Sequence, residues 1–237
     1  MSSCSGNCSS CGSNCADRKA ESLLAKLNEK ASVKKVIAVV SGKGGVGKSF
    51  VTSSLASMMA KAGYKVGILD ADITGPSIPK MFGVKQKAFG DATGKYILPA
   101  NGPLDIDIIS ASMLLENEDD PIIWRGSMVS NMVKQFYSDV IYGEQDIMFI
   151  DMPPGTGDIH ISLVHDIPME GAVIVSTPQD VALADVEKGV NMFRNESVNK
   201  PIFGLVENMA WFTPAEHPDE KYYIFGKEGG VRMAEKY

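Results

Sequence analysis

Two stretches of this sequence carry residue types suited to holding ligands. The first is Gly42-Lys43-Gly44-Gly45-Val46-Gly47-Lys48-Ser49, which fits G-x-x-x-x-G-K-[ST]. Glycines let successive backbone N–H groups turn toward one anion, and a following helix adds the positive end of its dipole. In that setting Lys48 can neutralise the β- and γ-phosphates of a nucleotide, while the Ser49 hydroxyl can ligate Mg²⁺. The plain alternative is a glycine-rich turn that caps a helix. The second stretch is MSSCSGNCSSCGSNC, in which Cys4, Cys8, Cys11 and Cys15 form C-x3-C-x2-C-x3-C and account for every cysteine of the chain. Disulfides confined to so short a segment would staple nothing to the rest of the protein, so metal binding or redox chemistry is the better reading. Four thiolates match the ligand count of a [4Fe–4S] cluster. They equally satisfy tetrahedral Zn²⁺, and a free redox-active tail is the third possibility.

Carboxylates stand where a phosphate site needs them. Asp70 and Asp72 close an apolar run in LDADITGPS, and Asp151 closes another in FIDMPPGTGD. A carboxylate at the end of a strand can hold Mg²⁺ through water or orient an attacking water; aspartate there is also a common turn residue. The run Pro153-Pro154-Gly155-Thr156-Gly157-Asp158 mixes rigid and permissive backbone and suits a switch that senses a γ-phosphate.

The elements that must position these residues follow from hydrophobic patterning. Short apolar runs at 36–41, 65–70, 105–110, 146–151, 171–176 and 202–207 read as strands. Helical spacing covers 48–62, 126–141, 159–166 and 180–194. Several strands are apolar on both faces, which predicts an α/β, doubly wound, mainly parallel sheet with ligands at the carboxyl ends of its strands. The stretch 83–104, rich in Gly, Pro, Lys and Asn, reads as a surface excursion with a turn or hairpin. Three segments are expected: a Cys-rich tail (1–15), an amphipathic helix spanning 16–31 within a linker (16–35), and an ATPase-type domain (36–237). Met128 and Met132 are expected to fill core at helical spacing. His160, His165 and His217 read as packing or surface residues.

Composition narrows the classes. The 237 residues are 44% apolar and 22% charged, ordinary for a globular protein. With 23 basic against 29 acidic side chains the formal charge is −6, and no long basic block offers phosphate contacts to a nucleic acid. No run approaches the ~18 apolar residues of a membrane span, and no signal-peptide core is present. A cytoplasmic protein with neither nucleic acid nor membrane as partner is the expectation.

In this order and spacing, GKGGVGKS, DADITGPSIPKMFG, WRGSMVSNMVKQF, IDMPPGTGD, STPQDVALADVEKGVNMF and GLVENM resemble the Mrp/Nbp family of iron–sulfur cluster carrier ATPases. These stand with the MinD-like proteins and the nitrogenase iron protein among the deviant P-loop ATPases. The resemblance, from about Val36 onward, implies a slow ATP hydrolase that works as a homodimer and passes clusters to apo iron–sulfur proteins. It implies that Lys43 reaches the partner subunit's nucleotide, comparable to an arginine finger. Asp72 would orient the hydrolytic water, Asp151 would attend Mg²⁺, Gly155 would be the second-switch glycine and Asn208 would read adenine. Family context also favours iron over zinc in the tail. Two departures stand out. The Cys-Pro-x-Cys pair that many members carry after Glu-Asn-Met is replaced by Ala210-Trp211-Phe212-Thr213-Pro214, so thiolates there cannot hold a bridging cluster. The chain also ends at Tyr237, soon after a Gly229-Gly230 turn expected to open a helix, without the family's closing strand and helix, which suggests truncation. The competing functions are a MinD-like positioning ATPase cycling on a membrane and a nucleotide-gated metal- or thiol-binding scaffold with negligible turnover.

Overall fold

The computed structural model describes residues 24–73, 75–114 and 126–237. The four cysteines, the first half of the expected 16–31 helix, and Trp124 with Arg125 lie outside the described residues. The first elements are β1 (Ala31–Ser41), α1 (Lys48–Lys61), β2 (Val66–Asp70) and the short α2 (Ile78–Met81). They are followed by β3 (Phe89–Gly90), β4 (Ile97–Leu98), β5 (Ala100–Asn101) and β6 (Asp107–Ser110). The remainder is α3 (Gly126–Asp139), β7 (Gly143–Asp151), α4 (Asp158–Asp166), β8 (Gly171–Ser176), α5 (Asp180–Arg194), β9 (Ile202–Glu207) and α6 (Gly229–Lys236).

Seven strands form one sheet in the order β5-β6-β2-β7-β1-β8-β9. Every pairing in it is parallel except β5 with β6. The central strands are apolar on both faces because each face is covered by helices. Ala38 and Val40 of β1, Leu69, Ile109 and Ile150 point into a layer with Val133, Phe136, Leu163, Val186 and Phe193. Their neighbours Val39, Ile68, Ile108 and Phe149 point the other way, toward Val51 and Ala56 of α1. Period-two alternation therefore sorts each strand between two cores. Because β1, β2, β7 and β8 run parallel, their carboxyl ends at Ser41, Asp70, Asp151 and Ser176 share one edge of the sheet. Register sharpens this: Asp151 sits level with Asp70 on one side and Val39 on the other.

Most expected elements are present, with informative differences. Residues 24–30 are not helical, and β1 begins at Ala31, inside the segment expected to be a helix. The apolar spacing there serves a different purpose. Ala25 is buried and Leu27 packs against the core, while the Ala25 N–H donates to Asp166 O at 2.6 Å and Asn28 Nδ2 donates to the carbonyls of Ser138 and Val140 at 2.8 Å each. The segment is strapped across α3 and α4. Strand β6 starts at Asp107, two residues late, because Leu104 and Asp105 adopt positive φ (63° and 56°), which ends a turn rather than starting a strand. The 83–104 excursion does contain an antiparallel pair, β3 with β4. Met132 is buried, but Met128 is half exposed. Among the described residues no helix is long and apolar enough to cross a membrane.

Candidate nucleotide-binding site

The glycine-rich loop joins the end of β1 to α1 at the centre of the sheet edge. Gly45 and Gly47 take φ of 80° and 86°, conformations that residues with a Cβ rarely adopt. A Cβ on Gly45 would meet nothing within 4 Å and one on Gly44 only Pro154 at 3.9 Å, so the loop faces open space on its ligand side. Gly42 and Gly47 are small for another reason. A Cβ on Gly42 would lie 2.6 Å from the Asp185 backbone of α5, and one on Gly47 would lie 2.2 Å from Asn208 Nδ2. Half of the glycine pattern thus serves packing behind the loop.

Lys48 and Ser49 open α1 and turn toward the end of β7. Lys48 Nζ lies 2.7 Å from Asp151 Oδ2, and Ser49 Oγ donates to the same oxygen at 2.6 Å. Both members of the ion pair are buried, Lys48 at 6% side-chain exposure and Asp151 at 0%. Breaking a buried pair by removing one member typically costs about 3–5 kcal/mol, so Lys48 needs an anion beside it whether or not a phosphate is present. Asp72 Oδ2 approaches Lys48 Nζ at 3.9 Å, while Asp72 Oδ1 accepts the Gly75 N–H at 3.2 Å. Asp70 lies beneath. It accepts from Ser110 Oγ at 3.1 Å and from the Asp72 N–H at 3.2 Å. Complete burial, then the charge of Asp151, push the Asp70 carboxyl up to about 8. Burial thus favours the neutral form of Asp70, and Asp72 with Asp151 around one lysine still leave negative charge at the cation end of the site. The adjacent hard oxygens of Ser49 and Asp151, with an open glycine loop alongside, fit Mg²⁺ and a phosphate chain.

The other expected site residues ring the same edge. Lys43 is half-buried, and its Nζ donates to Gln179 Oε1 of its own chain at 2.9 Å. Gly155 has φ of 99°, and its N–H donates to Ser41 O at 3.0 Å, tying the 153–158 loop to the end of β1. His160 is buried in α4 and lies 2.7 Å from Pro153 O through Nε2. Burial lowers its pKa, so the neutral ring can donate that bond and brace the loop. Asn208 immediately follows β9 and donates from Nδ2 to Val46 O at 2.9 Å, so it leans directly on the glycine loop. His165 and His217 are exposed, as expected of surface residues, and His217 Nδ1 lies 3.7 Å from Glu220 Oε1. Among the described residues no group of three or more His, Cys, Asp or Glu could hold a metal ion. The segment after Asn208 instead pairs Phe212 with Tyr222 and stacks Lys221 over Trp211. A groove of about 690 Å³ between α5, β9 and α6, lined by Val190, Arg194, Leu205 and Tyr237, lies apart from these residues and lacks their chemistry.

Sequence reasoning missed Thr52, Ser110 and Gln179. Thr52 Oγ1 is buried and donates to Asp151 Oδ1 at 2.6 Å. Its position four residues after Lys48, on the same face of α1, was the available signal.

Comparison with known proteins agrees with this geometry. A family model described as ParA, NUBPL iron-transfer P-loop NTPase, matches residues 32–237. The chain is 47% identical over 206 residues to an iron-sulfur cluster carrier protein of Aquifex aeolicus, covering 86% of this chain and 55% of that relative. The chain therefore spans little more than half of that protein's length. With the protein of the same name from Methanococcus maripaludis it shares 46% identity over 240 aligned positions, 98% of this chain and 81% of the relative. Among solved structures, a nucleotide-binding protein of Archaeoglobus fulgidus in complex with ADP superimposes with a TM-score of 0.75 at 42% identity, covering 86% of this chain and 78% of that one. The cell division ATPase MinD of Pyrococcus furiosus, at 24% identity and a TM-score of 0.50 over 73% of this chain and 71% of that one, shares the fold. A match this long, with the phosphate loop and its aspartates assembled on one sheet edge, has one meaning: the chain belongs to the NUBPL-type iron-transfer P-loop NTPases of the ParA family.

Proposed function

We propose that this protein is an ATP-dependent iron–sulfur cluster carrier, which binds and slowly hydrolyses ATP as a homodimer and passes clusters to apoproteins. The observation that carries the nucleotide half is the cluster of Lys48, Ser49, Asp72 and Asp151 beside an open glycine loop. In this reading Lys48 exchanges Asp151 for the phosphates when ATP enters, and Ser49 and Asp151 are left facing the cation. Mg²⁺, when bound, neutralises phosphate charge. Asp72 orients the attacking water, and Gly155 gives up its bond to Ser41 O to sense the γ-phosphate. Asn208, already against the loop, contacts the adenine side. Lys43 leaves Gln179 and stabilises charge on the partner subunit's nucleotide.

The cargo half rests on Cys4, Cys8, Cys11 and Cys15, with an iron–sulfur cluster, of [4Fe–4S] type, as the transported species. The relatives' names as cluster carriers, and an alignment that spans 98% of this chain in one of them, support iron over zinc. The proposed setting is the cytoplasm. Anaerobic reconstitution with iron and sulfide, followed by metal and sulfide analysis, tests the assignment. The intact chain should hold iron and sulfide, and deletion of residues 1–15 should remove both while ADP affinity persists. Lys48→Ala should do the reverse, abolishing nucleotide binding and keeping the iron. Stoichiometric zinc in place of iron, or full cluster retention after the deletion, would overturn the cargo assignment.

A further inference from the structure

We propose that Thr52 is a positioning residue for the cation end of this site, holding Oδ1 of Asp151 so that Oδ2 is the oxygen presented beside Ser49. The inference rests on the reading of Ser49 and Asp151 as the Mg²⁺ side of the nucleotide site.

The Asp151 carboxylate is fully buried and receives three donors. Lys48 Nζ and Ser49 Oγ share Oδ2, at 2.7 and 2.6 Å, and among the described residues Thr52 Oγ1 alone serves Oδ1, at 2.6 Å. The Thr52 hydroxyl also lies 3.1 Å from the Lys48 carbonyl, the usual back-contact of a helical threonine. It has one proton, and a carboxylate at the shorter distance is the stronger acceptor. The two donors on Oδ2 are the groups that a Mg²⁺–nucleotide recruits. Thr52 sits one turn further along α1, is 0% exposed, and keeps its bond when Lys48 and Ser49 are drawn to the ligand.

The torsion of an aspartate carboxylate is broad and roughly two-fold, so nothing intrinsic keeps one oxygen forward. Without the hydroxyl, Oδ1 would be a buried acceptor lacking a partner, and the carboxylate would rotate to share its remaining donors. Partners of this kind behind a metal-facing carboxylate typically change metal affinity by about 10–100-fold when removed.

The test is the Mg²⁺ dependence of ADP affinity, read with a fluorescent ADP analogue on the full chain. Thr52→Val, nearly isosteric, should raise the Mg²⁺ concentration that half-maximally tightens ADP by about tenfold or more. Affinity in EDTA should stay unchanged, and Thr52→Ser should restore the wild-type midpoint. Thr52→Ala gives the same reading if the valine variant does not accumulate as folded protein. A Thr52→Val midpoint equal to wild type would overturn the proposal, as would a loss of ADP affinity equal with and without Mg²⁺. Asp151→Asn separates the two levels. If it shifts the midpoint and Thr52→Val does not, only the role of Thr52 fails; if neither shifts it, the underlying site reading fails as well.

Discussion

At the scale of single residues, the site contains two lysines in different settings. Lys48 is buried and bound to Asp151, so it cannot leave without an anion to receive it. Lys43 is half-buried and held by a neutral amide, Gln179 Oε1, a charge-assisted bond worth about 1.5–3 kcal/mol net, against about 3–5 kcal/mol for breaking a buried pair such as that of Lys48. A cation more weakly held than Lys48 is available to a second subunit. Lys43→Ala is therefore expected to leave ADP affinity close to wild type and to suppress hydrolysis by about 10³-fold or more, the range found for a cation supplied in trans. Mixing it with Asp72→Asn, once subunits exchange, should recover part of the activity, because one site of the mixed dimer then keeps both groups. Equal hydrolysis by Lys43→Ala and wild type, or no recovery in any mixture, would count against action across a dimer. The motif residues were legible because the loop chemistry is local: eight consecutive positions specify it. Thr52, Ser110 and Gln179 were not, since each acts through a partner at least 40 positions away. Within KSFVTSS only the four-residue spacing from Lys48 sets Thr52 apart, and that spacing does not name the distant carboxylate it reaches.

At the scale of elements, the existence of strands and helices was readable from periodicity, and their adjacency was not. That Asp70 and Asp151 stand level depends on β2 lying beside β7, with β7 beside β1. Strand order is a property of the folded sheet, so the mutual repulsion of these two carboxylates could not be anticipated. The segment before β1 shows the opposite failure. Leu24, Leu27 and Ala31 have helical spacing, yet the N–H groups of Ala25 and Asn28 bond to backbone carbonyls of α4 and α3 and the segment is not helical, so tertiary contacts overrode local propensity. A comparable effect sits at the far end of the sheet in β6. Partial burial raises the Asp107 carboxyl to about 6, although Gln145 Nε2 donates to it at 2.7 Å. A carboxyl whose folded pKa exceeds its unfolded value, near 3.8, favours the folded state fully at lower pH. It loses that contribution as pH rises through about 6. Asp107→Asn keeps an acceptor for Gln145 and cannot ionise. Thermal melts from pH 4 to 7 should show the wild type losing stability relative to the variant across that window. Parallel curves would show that Asp107 is not desolvated as described.

At the scale of the whole molecule, family membership is shown, and the sheet places every described residue of the expected nucleotide site along one edge. The phosphate loop, Asp72, the Asp151–Gly155 run and Asn208 come from four separate stretches of chain, and the parallel strands bring them together. Cys4, Cys8, Cys11 and Cys15 lie outside the described residues, so the proposed link between nucleotide and cargo is a question for solution experiments. The most direct measurement is activation of an apo [4Fe–4S] enzyme by the anaerobically reconstituted chain, followed by the recovered activity of that enzyme. The account predicts that the intact chain restores activity and the chain lacking residues 1–15 does not. Equal activation by both, or none from an intact chain loaded with iron and sulfide, would contradict it.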